Sequence, residues 1–362
     1  MNKSNIPQTR SLDEILSSPD FLPWRLNFEQ WTLTFAKLSR PFYAMTAFLD
    51  PKVSSLIKEF SVISLDDLLE HTLGGISTPA SVGFIFHGAF SLSTMASRVI
   101  DLNERILVLR EPFVLTQLVR QSVNSRDPRG TNAQVTNGNL QSIYLLCMAL
   151  LTRTYEPAQS VVIKMNDICN LIACAVLLDY RSSNAIFLQA NLTDFILSIL
   201  KDPNRRSWVF ERLDAIEKAI PHFAAGEDSR TVGRSPGKAA AALWFHYQAI
   251  SIRLHHHFSA NRILRINADD FLADPFTSAE IIARFITTPQ TVVPRETVRT
   301  KLGTHSKRDS QAFDLSLRNQ LLTNLKGQFA TELLEALSWS ENMSSFIAAQ
   351  GPLTRSDSLI QI

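Results

Sequence analysis

The sequence predicts an α/β fold, in which a parallel central sheet lies between two layers of helices. Two observations carry this prediction. Five short apolar runs, rich in β-branched and aromatic residues, recur along the chain as buried strands do. Segments with helical patterning separate these runs, and strands that alternate with helices form parallel sheets covered on both faces.

The five predicted strands are residues 82–86, 105–109, 161–163, 185–188 and 262–266. Each is bounded by polar or small residues, and helical patterns follow it. The proline of Glu111-Pro112, after the second strand, suits the first turn of a helix.

Patterning also divides the chain into three parts. Residues 1–80 are predicted to form a helical and irregular N-terminal segment, whose aromatic content suits a cap over the active site. Residues 81–311 form the α/β core. Residues 312–362 form a helical C-terminal tail.

Composition narrows the class of protein. Of 362 residues, 45% are hydrophobic and 19% are charged, which provides for a large core and argues against disorder. The formal net charge of +2 gives no field that would mark a nucleic-acid or membrane-surface binder. The apolar stretches at 143–151 and 168–178 are too short to span a bilayer.

Three cysteines form no disulfide framework, and the first ten residues lack the apolar region of a signal peptide. We therefore expect a soluble cytoplasmic protein with neither nucleic acid nor membrane as a partner. The oligomeric state stays open.

The loop after the first predicted strand is the first candidate site. It reads His87-Gly88-Ala89-Phe90-Ser91-Leu92-Ser93-Thr94. Ligands of open α/β sheets bind beyond the carboxyl ends of the strands, where backbone N–H groups and a helix N-terminus attract anions. Hydroxyl groups on Ser91, Ser93 and Thr94 would add donors. A plain turn with a serine-rich helix cap is the alternative, and no Gly-Lys pair of a Walker A motif follows Gly88.

Residues 83–97, with Glu111-Pro112 after the next strand, resemble the start of the P-loop fold of sulfotransferases. The likeness is to a bacterial group of uncharacterised sulfotransferase-like proteins. Further stretches resemble later parts of that pattern in the same order: 161–170, 187–208, 262–285 and 305–313. The resemblance implies a three-layer P-loop sulfotransferase-like core, with extra helices at both ends.

It also implies the nucleotide donor 3′-phosphoadenosine 5′-phosphosulfate and a small hydroxylated or amine acceptor. By this resemblance the 5′-phosphosulfate lies against the loop, and the 3′-phosphate lies near Ser198. The loop residues in this role are Gly88, Ser91, Ser93 and Thr94.

Three positions depart from the family pattern. Phe90, Leu92 and Ala190 stand where the family has Lys, Gly and Arg. Because a cation stabilises the charge that develops on the bridging oxygen, another residue must supply it, or the chemistry is absent.

Lys164, at the end of the third strand, is the predicted replacement cation, and a strand-end lysine reaching solvent is the alternative. Glu111 is the predicted base for the acceptor proton if burial raises its pKa, and otherwise a carboxylate at a helix N-terminus. His87 would donate to a phosphate or to the leaving oxygen, or else hydrogen-bond to backbone.

Two further cations are predicted to contact the nucleotide. Arg205 and its neighbour Arg206 would clamp it beside the face of Trp208, although an exposed basic turn explains them equally well. Lys307 lies in the late basic loop, where a solvated charge cluster is the alternative. His255, His256 and His257 point in different directions on a helix, so we expect no metal site.

The preferred hypothesis is a transferase that moves a sulfuryl group from the donor to a small acceptor. Two alternatives stay open: a P-loop small-molecule kinase, and a non-catalytic descendant of the fold that binds a nucleotide or a partner.

Overall fold

The computed structural model describes residues 11–71, 79–124, 136–220, 233–258, 260–287, 304–305, 308–312, 315–341 and 343. Its N-terminal part contains α1 (Leu12–Ser17), the hairpin of β1 (Phe21–Asn27) and β2 (Thr32–Lys37), and α2 (Arg40–Met45). A 3₁₀ turn (Pro51–Leu56), β3 (Phe60–Ser64) and α3 (Leu65–Glu70) follow. The strands form an antiparallel sheet in the order β1-β2-β3.

This small sheet differs from the helical prediction for residues 1–80. Along β2, buried Leu33 and Phe35 alternate with half-buried Thr32 and Thr34. A period of two with β-branched threonines is a strand signal, and the aromatic residues around it obscured that signal.

Two buried arginines tie the N-terminal part to the core. Arg153 donates to the carbonyl oxygens of Ile15 and Leu16, at 2.7 and 2.8 Å. Arg110 donates to the carbonyl oxygen of Tyr43 at 2.6 Å and forms an ion pair with Asp101. Charge-assisted bonds to backbone fix these segments against the core.

The central sheet contains β4 (Val82–His87), β5 (Ile106–Arg110), β6 (Ser160–Lys164), β7 (Asn184–Gln189) and β8 (Ile263–Asn267). Its order is β5-β6-β4-β7-β8, and neighbouring strands are parallel. The predicted α/β class with a parallel central sheet is confirmed. Strands β4, β5 and β6 are buried along their whole length, which explains why their sequences are continuous apolar runs.

Helices cover both faces of this sheet. One face packs against α4 (Ser93–Ile100), α11 (Ala268–Ala273) and α12 (Pro275–Ile286). The other packs against α5 (Phe113–Asn124), α6 (Asn137–Leu151), α7 (Ala173–Asp179), α8 (Leu192–Leu200), α9 (Pro203–Ala219) and α10 (Pro236–Phe258). A 3₁₀ turn (Asp167–Ile172) joins β6 to α7.

The remaining described elements are the hairpin of β9 (Thr304–His305) and β10 (Arg308–Ala312), and helices α13 (Leu315–Gln328) and α14 (Ala330–Glu341). Helix α14 packs closely on α10, since a Cβ on Gly237 would lie 3.1 Å from the carbonyl oxygen of Glu332. Among the described residues, no helix combines the length and apolarity that a bilayer crossing needs.

The strand order places a switch point between β4 and β6. The connection after β4 crosses to β5 on one side, whereas the connection after β6 crosses to β7 on the other. Connections that leave neighbouring strands in opposite directions open a crevice at their carboxyl ends, where ligands bind in open α/β sheets.

Candidate functional site

A cleft of about 680 Å³ opens at the carboxyl ends of β4, β5 and β6. This volume lies within the range of small-molecule sites, about 300–1,000 Å³. The loop after β4 forms one wall, and α8, α9 and α13 form another. The N-terminal part adds Phe48, Asp50 and Lys52.

Most of the residues that the sequence suggests for the site line this cleft: His87, Ser91, Ser93, Thr94, Glu111, Ser198 and Arg205. Two others lie elsewhere. A Cβ on Gly88 would lie 3.1 Å from Tyr247 Cδ2, so this glycine allows close packing of the loop on α10. Lys164 is fully buried behind Glu111. Lys307 lies outside the described residues.

The loop from His87 to Thr94 holds two residues in the left-handed region, Phe90 at φ 59° and Leu92 at φ 63°. A residue other than glycine in this region costs about 1–2 kcal/mol, and such backbone strain is concentrated at functional sites. Packing holds Phe90 in place: its ring centroid lies 5.7 Å from that of Trp208, and the Arg205 guanidinium lies 4.3 Å above it.

The N-terminus of α4 faces the cleft without a side-chain cap. Its N-cap residue is Leu92, which has no acceptor, so the partial positive charge of the first turn stays available. Ser91, just before it, is fully buried and lines the cleft. Among the described residues its Oγ has no hydrogen-bond partner. A buried hydroxyl without a partner costs about 1–3 kcal/mol, which an anion oxygen would recover.

Cations gather around Ser198. Arg205 donates to the Ser198 carbonyl oxygen at 2.9 Å and lies 3.4 Å from Asp202. Lys201 lies on the same turn, and Arg318 reaches the cleft from α13 through an ion pair of 2.6 Å with Asp194. Burial lowers the pKa of Lys201, and the positive charges of Arg205 and Arg318 lower it further, against the opposing effect of Asp202.

A buried charge cluster lies where β5 and β6 end. Lys164 donates to Glu111 Oε1, Asn166 donates to Glu111 Oε2 at 2.7 Å, and His87 Nε2 lies 3.7 Å from Oε1. Glu111 has a φ of 54°, and its N–H donates to the Lys164 carbonyl oxygen at 2.6 Å. The left-handed turn therefore aims the carboxylate back at Lys164.

The cluster sets the charge of its members. Burial alone would raise the pKa of Glu111, but Lys164, His87 and Asn166 hold it below its ordinary value. The predicted role of Glu111 as a base required a raised pKa, and the structure lowers that pKa instead. Burial lowers the pKa of Lys164, and Glu111 opposes that effect.

His87 is neutral at pH 7, since burial and the charge of Lys164 lower its pKa to about 4. Its Nδ1 and Nε2 lie 2.9 Å from the carbonyl oxygens of Gly88 and Met165. A neutral imidazole carries one N–H and donates to only one of them. His87 thus joins the loop to the end of β6.

A second buried ion pair faces the cleft. Arg212 Nε lies 2.9 Å from Asp167 Oδ2, which also accepts a 2.5 Å hydrogen bond from the Tyr247 hydroxyl. Arg212 and Asp167 both line the cleft. The Arg212 guanidinium also lies 5.4 Å from the Trp208 ring centroid.

Asp50 comes from the N-terminal part and lies at the same end as Glu111. One of its oxygens accepts from the N–H of Lys52 at 3.0 Å. Burial raises its pKa, Lys52 opposes that effect, and the charge of Glu111 adds to it. A carboxylate with a raised pKa in a cleft is suited to accept a proton.

Sequence reasoning missed several charged residues of the cleft, among them Asp50, Asp167, Lys201, Arg212 and Arg318. Two of them carried a signal. Arg212 lies four residues after Trp208, on one face of α9, and Asp167 lies three residues after Lys164. Asp50 and Arg318 reach the cleft only through the tertiary fold. Among the described residues, no group of three acidic, histidine or cysteine side chains is arranged to hold a metal ion.

No family model and no curated protein matches this sequence. Solved structures with a similar architecture exist. A sulfotransferase from Alicyclobacillus acidocaldarius is 13% identical with a TM-score of 0.35, covering 75% of this chain and 100% of that one. The sulfotransferase domain from the curacin biosynthetic pathway is 13% identical with a TM-score of 0.37, covering 76% and 100%.

The sulfotransferase domain of the Synechococcus PCC 7002 olefin synthase is 13% identical with a TM-score of 0.37, covering 74% of this chain and 96% of that one.

Proposed function

We propose that this protein transfers a sulfuryl group from 3′-phosphoadenosine 5′-phosphosulfate to a small hydroxylated or amine acceptor. The observation that carries the proposal is the uncapped N-terminus of α4, with the buried Ser91 hydroxyl left without a partner among the described residues. Both features suit an anion at this point of the cleft.

Two sets of donors in the cleft suit a nucleotide that carries two phosphate groups. Ser91, Ser93 and Thr94 line the cleft at the loop. Lys201, Arg205 and Arg318 line it beside Ser198. In this arrangement the loop holds the 5′-phosphosulfate and the second set holds the 3′-phosphate, as the sequence resemblance implies.

The donor supplies an activated sulfuryl group, and the chain positions it and stabilises charge. Transfer forms a bond between the acceptor oxygen or nitrogen and sulfur and breaks the bond from sulfur to the bridging oxygen. The electron pair of the broken bond stays on the 5′-phosphate. The acceptor proton passes to a carboxylate of the cleft.

Two carboxylates can accept that proton, Glu111 and Asp50. Glu111 is ionised but a weak base, because Lys164 holds its pKa low. Burial raises the pKa of Asp50, which makes it the stronger base of the two. We assign the proton to Asp50, and to Glu111 the role of neutralising Lys164.

Thermal unfolding with three ligands tests the proposal: the phosphosulfate donor, its 3′,5′-bisphosphate product and ATP. We expect the donor and the bisphosphate to raise the midpoint of unfolding, because both carry the 3′-phosphate that Arg205 and Lys201 would contact. ATP lacks that group and should raise it less. Stabilisation by ATP alone would instead support the kinase alternative.

The non-catalytic alternative is favoured by the three departures from the family pattern, Phe90, Leu92 and Ala190. It predicts binding of the bisphosphate without turnover. Incubation of the protein with the donor and a panel of alcohols, phenols and amines separates the two. Release of bisphosphate that depends on an acceptor supports the transferase, and binding without such release supports the alternative.

A further inference from the structure

Arg212 is a buried cation whose side chain lines the cleft. Its side chain is 7% exposed, and it lines the cleft with Ser91 and Phe90. Lys164, the predicted replacement cation, is fully buried and does not line the cleft. Of these two cations, only Arg212 can touch a ligand without moving.

The ion pair with Asp167 holds Arg212 in place. Its Nε lies 2.9 Å from Asp167 Oδ2, yet among the described residues Nε has no partner with hydrogen-bond geometry. Asp167 shares its charge with the Tyr247 hydroxyl. Burial would lower the pKa of Arg212, but Asp167 and Tyr247 raise it above its ordinary value, so the guanidinium stays charged.

Packing links Arg212 to the residue that replaces the family lysine. Phe90 packs edge-on against Trp208, and Trp208 carries the Arg212 guanidinium. The aromatic pair fills the space beside the loop and brings a cation from α9 toward it. A guanidinium also suits this role because its planar fork binds tetrahedral oxyanions through two donors.

We propose that Arg212 is the cation of the loop site, and that its guanidinium contacts the phosphosulfate held at the N-terminus of α4. This inference rests on the proposed function and names a further catalytic residue for it. As the bond from sulfur to the bridging oxygen breaks, Arg212 stabilises the negative charge that develops on the 5′-phosphate oxygen.

Two substitutions at the ion pair test the inference with opposite expected signs. Arg212→Gln removes the cation, and Asp167→Asn removes the carboxylate that competes for it. Each breaks the same buried pair, so both should lower the midpoint of unfolding. Titration calorimetry measures the affinity of each variant for the 3′,5′-bisphosphate. If the pair served only the fold, the two substitutions would change this affinity alike.

We expect Arg212→Gln to weaken bisphosphate binding by at least about tenfold, or ~1.4 kcal/mol. Asp167→Asn should bind as tightly as the wild type or more tightly. Arg212→Lys keeps the positive charge but lacks the planar guanidinium. Its affinity for the bisphosphate should lie between those of Arg212→Gln and the wild type. Lys218→Gln is the matched control, since it removes an exposed cation that pairs with Asp214 on the same helix.

Binding by Arg212→Gln within twofold of the wild type would overturn the inference. So would an equal loss in both variants of the pair, because only the fold would then depend on them. Failure of the wild type itself to bind the bisphosphate would overturn the proposed function, and the inference with it. The two failures are therefore distinguishable: one is seen in the wild type, the other only in the variants.

Discussion

Lys164 and Arg212 are both buried, both paired with a carboxylate, and both placed at the carboxyl end of the sheet. They differ in what surrounds the pair. Lys164 ends β6 and points into Glu111, whose backbone turn and Asn166 hold the carboxylate in place. Arg212 projects from α9 toward the cleft, and its carboxylate is shared with Tyr247. The same residue chemistry thus supports the fold in one case and, as we propose, a ligand in the other.

The largest expected effect is on stability and concerns the Lys164 pair. Glu111→Gln leaves a fully buried ammonium without its counter-charge, so we expect a loss of about 3–5 kcal/mol in the free energy of unfolding. Denaturant unfolding at pH 7 measures it. The double variant Glu111→Gln with Lys164→Met should recover most of the loss, because no uncompensated charge remains.

The pH dependence of that loss gives a further check. The folded pKa of Glu111 is lowered, so its contribution is fully present above its unfolded pKa of about 4.3 and is lost as pH falls through the folded value. The difference between wild type and Glu111→Gln should therefore narrow in acid. A difference that stays constant down to the acid transition would contradict the ion-pair account.

A smaller effect is expected for a substitution in the loop, and it concerns the affinity for the bisphosphate. Ser91→Ala removes the buried hydroxyl that has no partner among the described residues. Because hydrogen bonds to charged groups contribute about 1.5–3 kcal/mol, bisphosphate affinity should fall by about tenfold or more. Stability without ligand should be unchanged or slightly higher, since an unsatisfied group is removed. Reduced stability with unchanged affinity would show that Ser91 serves the fold.

The pH profile of turnover distinguishes the two candidate bases. Burial raises the pKa of Asp50, so the acid limb of kcat/KM should lie above the ordinary aspartate value of about 3.9. Asp50→Asn should abolish that limb together with most of the turnover. A limb at lower pH, retained in Asp50→Asn, would return the base role to Glu111.

The smallest expected effect on binding concerns Gly88. A Cβ there would lie 3.1 Å from Tyr247, so Gly88→Ala should cost about 1–3 kcal/mol of stability through overpacking. Gly88 does not line the cleft, and we expect bisphosphate affinity to change less than twofold. A large loss of affinity with normal stability would show that the backbone at Gly88 approaches the ligand.

The sequence predicted the α/β core well because each central strand is a continuous apolar run. Strand β4, for example, extends the predicted 82–86 by only His87. It predicted the N-terminal part poorly, because the alternating pattern of β2 is short and lies among aromatic residues.

For the site, the strand–loop–helix pattern pointed to the loop, the basic turn before Trp208 pointed to Arg205, and the resemblance pointed to Ser198. All of these line the cleft. Local patterning could not show that Lys164 turns into Glu111, because the left-handed turn at Glu111 is set by the fold. Nor could it place Asp50 or Arg318, which come from distant segments.

The most direct test of the central claim is a calorimetric titration of the wild-type protein with adenosine 3′,5′-bisphosphate and with adenosine 5′-phosphate. The account predicts one site per chain for the bisphosphate. It predicts markedly weaker binding of the monophosphate, because that nucleotide lacks the 3′-phosphate that the cations beside Ser198 would contact. Equal binding of both nucleotides, or no heat from either, would contradict it.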